Sequence, residues 1–170
     1  MKKRWVVNTP PEWEKIETLS KQLNCSHVIA NLLIQRGIET AGEAHAFFNP
    51  TLNMLHDPFL MKDMDKAVVR LEKAIQTEEK IMIYGDYDVD GTTAVALLYK
   101  YLKNKCEKPE YYIPDRYTEG YGVSIRAIDY AAQHGITLMI VTDCGVKAVE
   151  KVRYAQTKGV DVIICDHHTP

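Results

Sequence analysis

The chain has 170 residues, 46% of them hydrophobic and 26% charged, which suits one globular domain with a small appendage. Its formal net charge of −2 gives no global basic surface, so composition alone does not support nucleic-acid binding. No apolar stretch approaches the roughly 20 residues that cross a bilayer, so no membrane partner is expected. The four cysteines form no close pairs, and the apolar stretch after the basic start covers only residues 5–7. Without a secretory signal, we expect a cytoplasmic protein.

Residues 1–60 have the pattern of a short, all-helical leader. Helices are predicted at residues 12–23, 27–36 and 41–48. Gly37 is expected to end the second helix, and Thr40 with Glu43 forms a capping-box sequence before the third. A fourth helix at residues 65–76 carries an apolar stripe and leads into the next part of the chain.

Residues 61–170 alternate between short apolar runs and amphipathic segments. Strands are predicted at residues 81–84, 111–114, 137–142 and 160–165, separated by helices at 94–102, 124–133 and 147–156. This alternation is typical of βαβ units, so the expected fold class is α/β, a parallel sheet with flanking helices. Ligands of such sheets bind beyond the carboxyl ends of the strands.

Three carboxylates on alternate residues, Asp86, Asp88 and Asp90, follow the first strand. On an extended backbone they would point to the same side, and without a cation they would repel each other and raise each other's pKa. A calcium-binding EF-hand loop is excluded because its twelfth position, counted from Asp86, is Leu97 instead of Glu. A phosphate-binding P-loop is excluded because no Lys precedes Thr92. A solvated acidic turn that caps the next helix remains an alternative.

Two further strands also end in potential metal ligands. Asp143 follows the third strand, and Asp166, His167 and His168 follow the fourth. Carboxylates mixed with imidazole suit Mn²⁺ or Mg²⁺, and enough ligands are present for two ions. Taken singly, an Asp after a strand is often a helix N-cap, and adjacent histidines are often surface residues.

In this order, residues 88–91, 143 and 166–168 resemble the successive motifs of the DHH phosphoesterase superfamily. Within it the chain is similar to the RecJ family, and the resemblance extends to residues 33–37, 57–58, 63–64, 84–91, 113–122 and 142–145. It implies a Rossmann-like DHH domain and metal-dependent phosphodiester hydrolysis with two Mn²⁺ or Mg²⁺ ions. It also implies a 5′ to 3′ exonuclease specific for single-stranded DNA, acting in DNA repair and recombination. A single-strand-binding protein or a helicase would be a further partner of the complete enzyme.

The resemblance implies a role for each residue of the site. The implied metal ligands are Asp86, Asp88, Asp90, Asp143 and His167, with one ion for each of Asp88 and Asp90. Asp143 would bridge the two ions, and Asp86 would replace a histidine ligand whose place Tyr84 holds here. His168 would contact the scissile phosphate or protonate the leaving oxygen, while Asp166 would orient an imidazole.

The loop after the second strand contributes an arginine. Arg116 carries a planar guanidinium that suits bidentate phosphate recognition, so we expect it to hold the DNA backbone or a terminal phosphate beside the metals. Tyr117 and Tyr121 in the same loop either stack on bases or pack on the surface of the domain itself.

Other functions remain open from the sequence. Within the superfamily the alternatives are an oligoribonuclease, a cyclic-dinucleotide phosphodiesterase or an inorganic pyrophosphatase. A non-catalytic DHH-fold scaffold is the alternative from another class, and the intact Asp143 and His167 argue against it. Cys144 and Cys165 raise the possibility of a structural zinc site with a histidine, although the usual close cysteine spacings are absent.

The chain stops at Pro170, two residues after the histidine pair. Members of the family continue, with a further metal-binding aspartate and a second domain. Residues 61–170 are therefore expected to form the N-terminal part of a DHH domain that is incomplete at its C-terminus. We expect weak metal affinity and little nuclease activity from these residues alone.

Overall fold

The computed structural model describes residues 4–170, and within this range the chain forms two compact units that meet in sequence at Asp57 and Pro58. The first unit contains the helices α1 (Trp13–Leu23), α2 (His27–Ile34) and α3 (Ala41–Phe48), followed by a 3₁₀ turn at Leu52–Met54. These are the three helices that the sequence predicts, although α2 ends two residues earlier than expected. No helix within the described residues is both long and apolar enough to cross a membrane.

A small apolar core and local caps hold the helices of the first unit. Its buried side chains come from all three helices and are Ile16, Leu19, Ala30, Leu33, Ile34 and Ala44. The capping box at the start of α3 is formed as predicted: Glu43 N donates to Thr40 Oγ1 over 3.2 Å, and Thr40 N donates to Glu43 Oε2 over 3.0 Å.

The second unit is an α/β fold with a four-stranded sheet. After a 3₁₀ turn at Pro58–Leu60, its elements are α4 (Met64–Gln76), β1 (Ile81–Gly85), α5 (Val89–Leu102), β2 (Glu110–Tyr112), α6 (Ile125–Gln133), β3 (Leu138–Thr142), α7 (Val149–Thr157) and β4 (Asp161–Cys165). The strand order is β2-β1-β3-β4, and every neighbouring pair is parallel. The predicted fold class is therefore confirmed.

The sheet has a hydrophobic core on each face, because alternate side chains of a strand point in opposite directions. Met82 of β1 and Met139 of β3 face one core, which α6 and α7 complete with Ala127, Ile128, Ala131 and Ala155. Ile83 and Ile140 face the other core, to which α4 and α5 contribute Ala74, Val95 and Leu102. Both central strands are buried along their whole length.

The register of the central strands sets the position of the loops that follow them. Gly85, the last residue of β1, pairs with Thr142 at the end of β3, and Thr142 pairs with Cys165 at the end of β4. The next residues along the chain are Asp86, Asp143 and Asp166. Three aspartates therefore leave the sheet at the same level and at the same edge.

Candidate metal centre

Asp86 is the most deeply buried acidic residue at this edge. It is 1% exposed, and its Oδ1 has no hydrogen-bond partner among the described residues. Burial raises the pKa of its carboxyl group, and the neighbouring charges of Asp88 and Asp143 raise it further, while backbone groups at Tyr87 and Gly122 act in the opposite direction. A buried carboxylate oxygen without a partner is costly unless a cation satisfies it.

The expectation of three side-chain carboxylates on extended backbone is wrong at Asp90, whereas Asp88 keeps extended dihedrals, with φ of −84° and ψ of −173°. Helix α5 begins at Val89 instead of residue 94, so Asp88 is its N-cap and Asp90 lies in its first turn. The Asp88 carboxylate accepts a hydrogen bond of 3.0 Å from Gly91 N, which satisfies one of the free amides at the start of a helix. The extended backbone therefore ends at the capping residue Asp88, and both carboxylates are exposed.

Gly91 allows the first turn of α5 to approach the buried aspartate. A Cβ atom at this position would lie 2.6 Å from Asp86 N and would also collide with Asp86 O. Only glycine fits such a close approach of two backbones. The glycine of the motif therefore keeps Asp86 and the capping residue Asp88 on one tight loop.

Asp143 and the two histidines form a compact group of ligand atoms. One such atom from each of Asp143, His167 and His168 lies within 4.8 Å of the others, and it is the one group of this kind among residues 4–170. Asp143 is 8% exposed and has a left-handed backbone with φ of 60°, an unusual conformation for a residue with a side chain. Its Oδ1 lies 3.0 Å from His167 Nε2, and its backbone N donates to Cys165 O over 2.9 Å.

Asp166 contacts the second histidine of the pair. Its Oδ1 lies 2.7 Å from His168 Nδ1, and its Oδ2 accepts a hydrogen bond of 2.8 Å from Val146 N. Burial alone would raise the pKa of Asp166, but the hydrogen bonds from Val146 and His168 hold it below its ordinary value. The bond to Asp166 raises the pKa of His168. The carboxylate thus orients the ring and favours its protonated form.

The structure brings some of the predicted site residues together and separates others. Asp143, His167 and His168 share one group, and the charge of Asp143 acts on Asp86. Asp88 and Asp90 do not belong to the compact group, although the charge of Asp88 acts on both Asp86 and His168. The predicted ligands therefore lie around one edge without forming a single closed shell.

The cysteines near the site are not part of the group of ligand atoms. The group of Asp143, His167 and His168 contains no cysteine within the described range. Cys144 is buried, and burial raises the pKa of its thiol to about 12. The structural zinc alternative therefore has no support in the geometry.

Tyr84, at the position where the family resemblance implies a histidine ligand, has a structural role. Its ring is fully buried and stacks on Tyr112 with ring centres 5.9 Å apart. Its hydroxyl donates to Gly122 O over 2.7 Å, and burial raises its pKa above the ordinary value. The neutral phenol ties β1 to the loop that follows β2.

That loop is organised around Glu119, a residue for which the sequence suggested no role of its own. Its carboxylate accepts hydrogen bonds from Asp115 N over 3.0 Å, from Tyr112 Oη over 3.0 Å and from Ser124 Oγ over 2.6 Å. Asp115 in turn accepts from the backbone of Tyr117 and Thr118 over 3.0 and 2.8 Å. In the sequence, the acidic residues Asp115 and Glu119 on either side of an arginine could have predicted a loop held by carboxylate–backbone hydrogen bonds.

Arg116 lies on this pinned loop with an exposed side chain. It forms no ion pair or hydrogen bond with any residue from 4 to 170, and its guanidinium carbon lies 5.3 Å from the centre of the Tyr87 ring. Of the two loop tyrosines, Tyr117 is 92% exposed, whereas Tyr121 meets the ring of His168 edge-on at 6.4 Å. Tyr121 thus packs within the site, and Tyr117 leaves its ring to solvent.

Comparison with known proteins identifies a family and several relatives of this chain. Residues 80–170 match the family described as the DHH family, N-terminal domain. The single-stranded-DNA-specific exonuclease RecJ of Bacillus subtilis is 40% identical over 99% of this chain and 21% of its own length. The exonuclease of the same name from Thermus thermophilus is 34% identical over 65% of this chain and 16% of its own length.

Two solved structures share the fold. Exonuclease RecJ bound to manganese matches with a TM-score of 0.60 at 34% identity, over 65% of this chain and 28% of that one. RecJ in complex with Mn²⁺ from Thermus thermophilus matches with a TM-score of 0.67 at 26% identity, over 98% and 23%. The chain spans about a fifth of the length of the Bacillus relative, at 21%.

Proposed function

Because the chain belongs to the DHH family, we propose that its second unit supplies the metal-binding part of a phosphodiesterase that degrades single-stranded DNA from the 5′ end. Relatives named as single-stranded-DNA-specific exonucleases support this substrate. Similar structures bound to manganese support Mn²⁺ as the ion, with Mg²⁺ as the alternative. The observation that carries the proposal is the buried Oδ1 of Asp86, which has no hydrogen-bond partner from residue 4 to residue 170. It lies near the compact group that Asp143 forms with the two histidines.

The chemistry of the donor set fits divalent cations that prefer oxygen and imidazole ligands. The residues that would hold them are Asp86, Asp88, Asp90, Asp143 and His167. When bound, two such ions activate water and neutralise charge on phosphoryl oxygens. The left-handed backbone of Asp143 and its near-complete burial restrict the directions that its carboxylate can take, which supports its place among these ligands.

His168 would act as a proton donor to the leaving oxygen. Asp166 lies 2.7 Å from its Nδ1, so the opposite ring nitrogen, Nε2, is left to face the substrate. The raised pKa of His168 favours the protonated imidazole that a general acid needs. Asp166 thereby acts as a positioning residue through its bonds to Val146 and His168.

Arg116 would hold a phosphate of the substrate. Its donors make no hydrogen bond to any residue from 4 to 170, and its exposed guanidinium can bind two phosphate oxygens at once. Since the net charge of the chain is −2, such a local cation has to provide the attraction that a basic surface provides in other nucleic-acid-binding proteins.

The metal proposal is tested by calorimetric titration with Mn²⁺. We expect the protein to bind the ion and the Asp143→Asn variant to lose most of this affinity. The matched control is Asp129→Asn, which changes an aspartate of α6 outside the proposed ligand set. Equal binding by all three proteins would contradict the proposed site.

The substrate proposal is tested by cleavage under single-turnover conditions, with protein in excess over labelled DNA. We expect slow, Mn²⁺-dependent release of nucleotides from the 5′ end of single-stranded DNA, and none from the duplex. Faster cleavage of a dinucleotide or of pyrophosphate would favour a small-substrate phosphodiesterase instead. Metal binding without cleavage of any of these substrates would favour a non-catalytic role.

A further inference from the structure

The loops after β1 and β2 touch through one cation and one aromatic ring. Arg116 Cζ lies 5.3 Å from the centre of the Tyr87 ring, within the range of a cation–π interaction. Tyr87 stands between Asp86 and Asp88, in the acidic loop, and Arg116 stands in the loop that Glu119 organises. The contact therefore joins two separate parts of the proposed site.

The kind of contact matters because this edge of the sheet is rich in carboxylates. A guanidinium close to carboxylates normally forms an ion pair, which uses the same N–H groups that would bind phosphate. Arg116 has no carboxylate within ion-pair distance among residues 4–170, and its guanidinium contacts the ring of Tyr87 instead. An aromatic face attracts the positive charge without accepting its hydrogen bonds. The N–H groups of the guanidinium are thus left to bind a ligand.

The ring and the arginine are both attached to well-fixed backbone. Before Tyr87 the chain is anchored by Asp86, whose side chain is buried, and after it by Asp88, which caps α5 over 3.0 Å. Beside Arg116, the Asp115 carboxylate accepts from two backbone amides of the following turn. Since hydrogen bonds hold the backbone on each side, the conformational freedom that remains is mainly in the long side chain of Arg116. This side chain has more rotamer entropy to lose than that of Tyr87.

We infer that Tyr87 is a positioning residue that holds the Arg116 guanidinium over the acidic loop, ready to bind a phosphate of a single-stranded nucleic acid. The inference rests on the proposed function, in which Arg116 binds phosphate. Holding the side chain in advance reduces the entropy lost when the phosphate binds. Tyr87 thus determines how tightly the substrate is held, and it contributes nothing to metal binding.

The contact itself can be tested without substrate or metal. The Tyr87 ring should displace the NMR signals of the Arg116 side-chain protons through its ring current. Tyr87→Phe keeps a ring and should retain most of the displacement, whereas Tyr87→Leu should remove it. The matched control is Tyr101→Leu. It removes another cation–π contact, that of Tyr101 near the end of α5 with Lys105 beyond the helix, at 5.9 Å. Arg116 signals identical in the parent protein and Tyr87→Leu would overturn the inference.

The role in binding is tested by a double-mutant cycle with a 5′-phosphorylated, single-stranded phosphorothioate oligonucleotide as the probe. We expect Tyr87→Leu to weaken binding by about 3- to 10-fold, the range of a partly exposed cation–π contact. It should have almost no effect when Arg116 is already replaced by Ala, and Tyr87→Phe should bind almost as the parent protein does. Mn²⁺ affinity should not change in any of these variants.

Two different failures can be told apart. If the parent protein does not bind the oligonucleotide, or if Arg116→Ala binds equally well, the proposed role of Arg116 is wrong. If Arg116→Ala weakens binding but Tyr87→Leu weakens it further by the same factor in both backgrounds, the proposed function stands and the positioning role of Tyr87 is overturned.

Discussion

The imidazole of His167 lies 3.0 Å from the carboxylate of Asp143, measured from Nε2 to Oδ1, although 24 residues separate the two in sequence. Their strands are neighbours, with Thr142 of β3 paired to Cys165 of β4, so each residue follows its strand at the same sheet edge. Asp143 is almost fully buried while the His167 side chain is 73% exposed. The pair therefore combines a fixed carboxylate with an imidazole that is open to solvent and to a ligand.

Replacing His167 should weaken metal binding without destabilising the fold. We expect His167→Gln to reduce Mn²⁺ affinity by roughly 100-fold, at or above the loss seen when supporting residues of metal sites are changed. The free energy of unfolding without metal should change by less than about 0.5 kcal/mol, because the side chain is exposed. Calorimetric titration and urea unfolding measure the two quantities. His45→Gln, a change on helix α3 of the first unit, is the control and should alter neither.

Asp88 offers a way to separate helix capping from metal binding. Asp88→Asn should keep the cap on Gly91, because Asn and Asp are equally good N-caps, and should still lower Mn²⁺ affinity. Asp88→Ala should lose both, with a cost of about 1 kcal/mol in the free energy of unfolding. The two variants are compared by urea unfolding without metal and by titration with Mn²⁺. If Asp88→Asn binds the ion as the parent does, Asp88 is a capping residue alone.

Asp86 should destabilise the metal-free protein and stabilise the metal-bound one. Its carboxylate is buried, and one of its oxygens has no hydrogen-bond partner among the described residues. Removing the charge in Asp86→Asn should therefore raise the metal-free unfolding free energy, by an amount on the order of 1 kcal/mol. With saturating Mn²⁺ the order should reverse, because the parent protein gains more from the bound ion. Thermal unfolding with EDTA and with Mn²⁺ shows whether the order of the melting temperatures of the parent protein and Asp86→Asn reverses. An Asp86→Asn variant less stable under both conditions would count against a metal at this carboxylate.

Gly91 should tolerate no side chain. Gly91→Ala places a Cβ 2.6 Å from Asp86 N, so we expect a loss of roughly 2–4 kcal/mol in the free energy of unfolding and a weaker metal site. Gly42→Ala is the matched control, because it lies on helix α3 with nothing within 4 Å of the added atom. That change should be neutral or stabilising by up to about 1 kcal/mol. Denaturant unfolding of both variants tests the contrast.

Glu79 should make the free energy of unfolding of the second unit fall as the pH becomes acidic. Its bonds to Arg70, and then to Thr137, lower its pKa from 4.5 to about 2. A carboxyl group with a lowered folded pKa stabilises the fold above its unfolded pKa and loses this effect as the pH falls towards its folded pKa. Glu79→Gln should therefore cost roughly 2–3 kcal/mol at pH 7, a difference that shrinks between pH 4.5 and pH 2.

Urea unfolding at several pH values measures this effect. Glu72→Gln provides the control, because Glu72 is an exposed residue of α4 and its removal should cost little at any pH. A constant difference between Glu79→Gln and the parent from pH 7 to pH 2 would contradict the ionic role of Glu79. Arg70 also contacts Asp161, whose Oδ2 lies 2.7 Å from Arg70 Nε. This ion pair of Arg70 should therefore remain in Glu79→Gln.

The sequence by itself determined the order of helices and strands and the parallel sheet. Both follow from local patterns: apolar runs of strand length, helical spacing and caps such as Thr40 with Glu43 depend on residues close in the chain. The same patterns showed that aspartates and histidines follow strand ends, and the parallel connections predicted that they share one edge.

Tertiary structure decided which of these residues meet. The strand register that aligns Gly85, Thr142 and Cys165 depends on packing on both faces of the sheet, which no local pattern specifies. The sequence pattern predicted a later start for α5, because aspartates on alternate residues suggest extended backbone. In the structure the cap on Asp88 starts the helix at Val89, and the side chains of Asp88 and Asp90 are exposed. Within the part of the chain that the structure describes, burial left Asp86 with a carboxylate oxygen that has no hydrogen-bond partner, and a contact between two loops placed Arg116 on the ring of Tyr87. Burial and contacts between distant residues exist only in the folded chain, which is why composition and spacing could not give them.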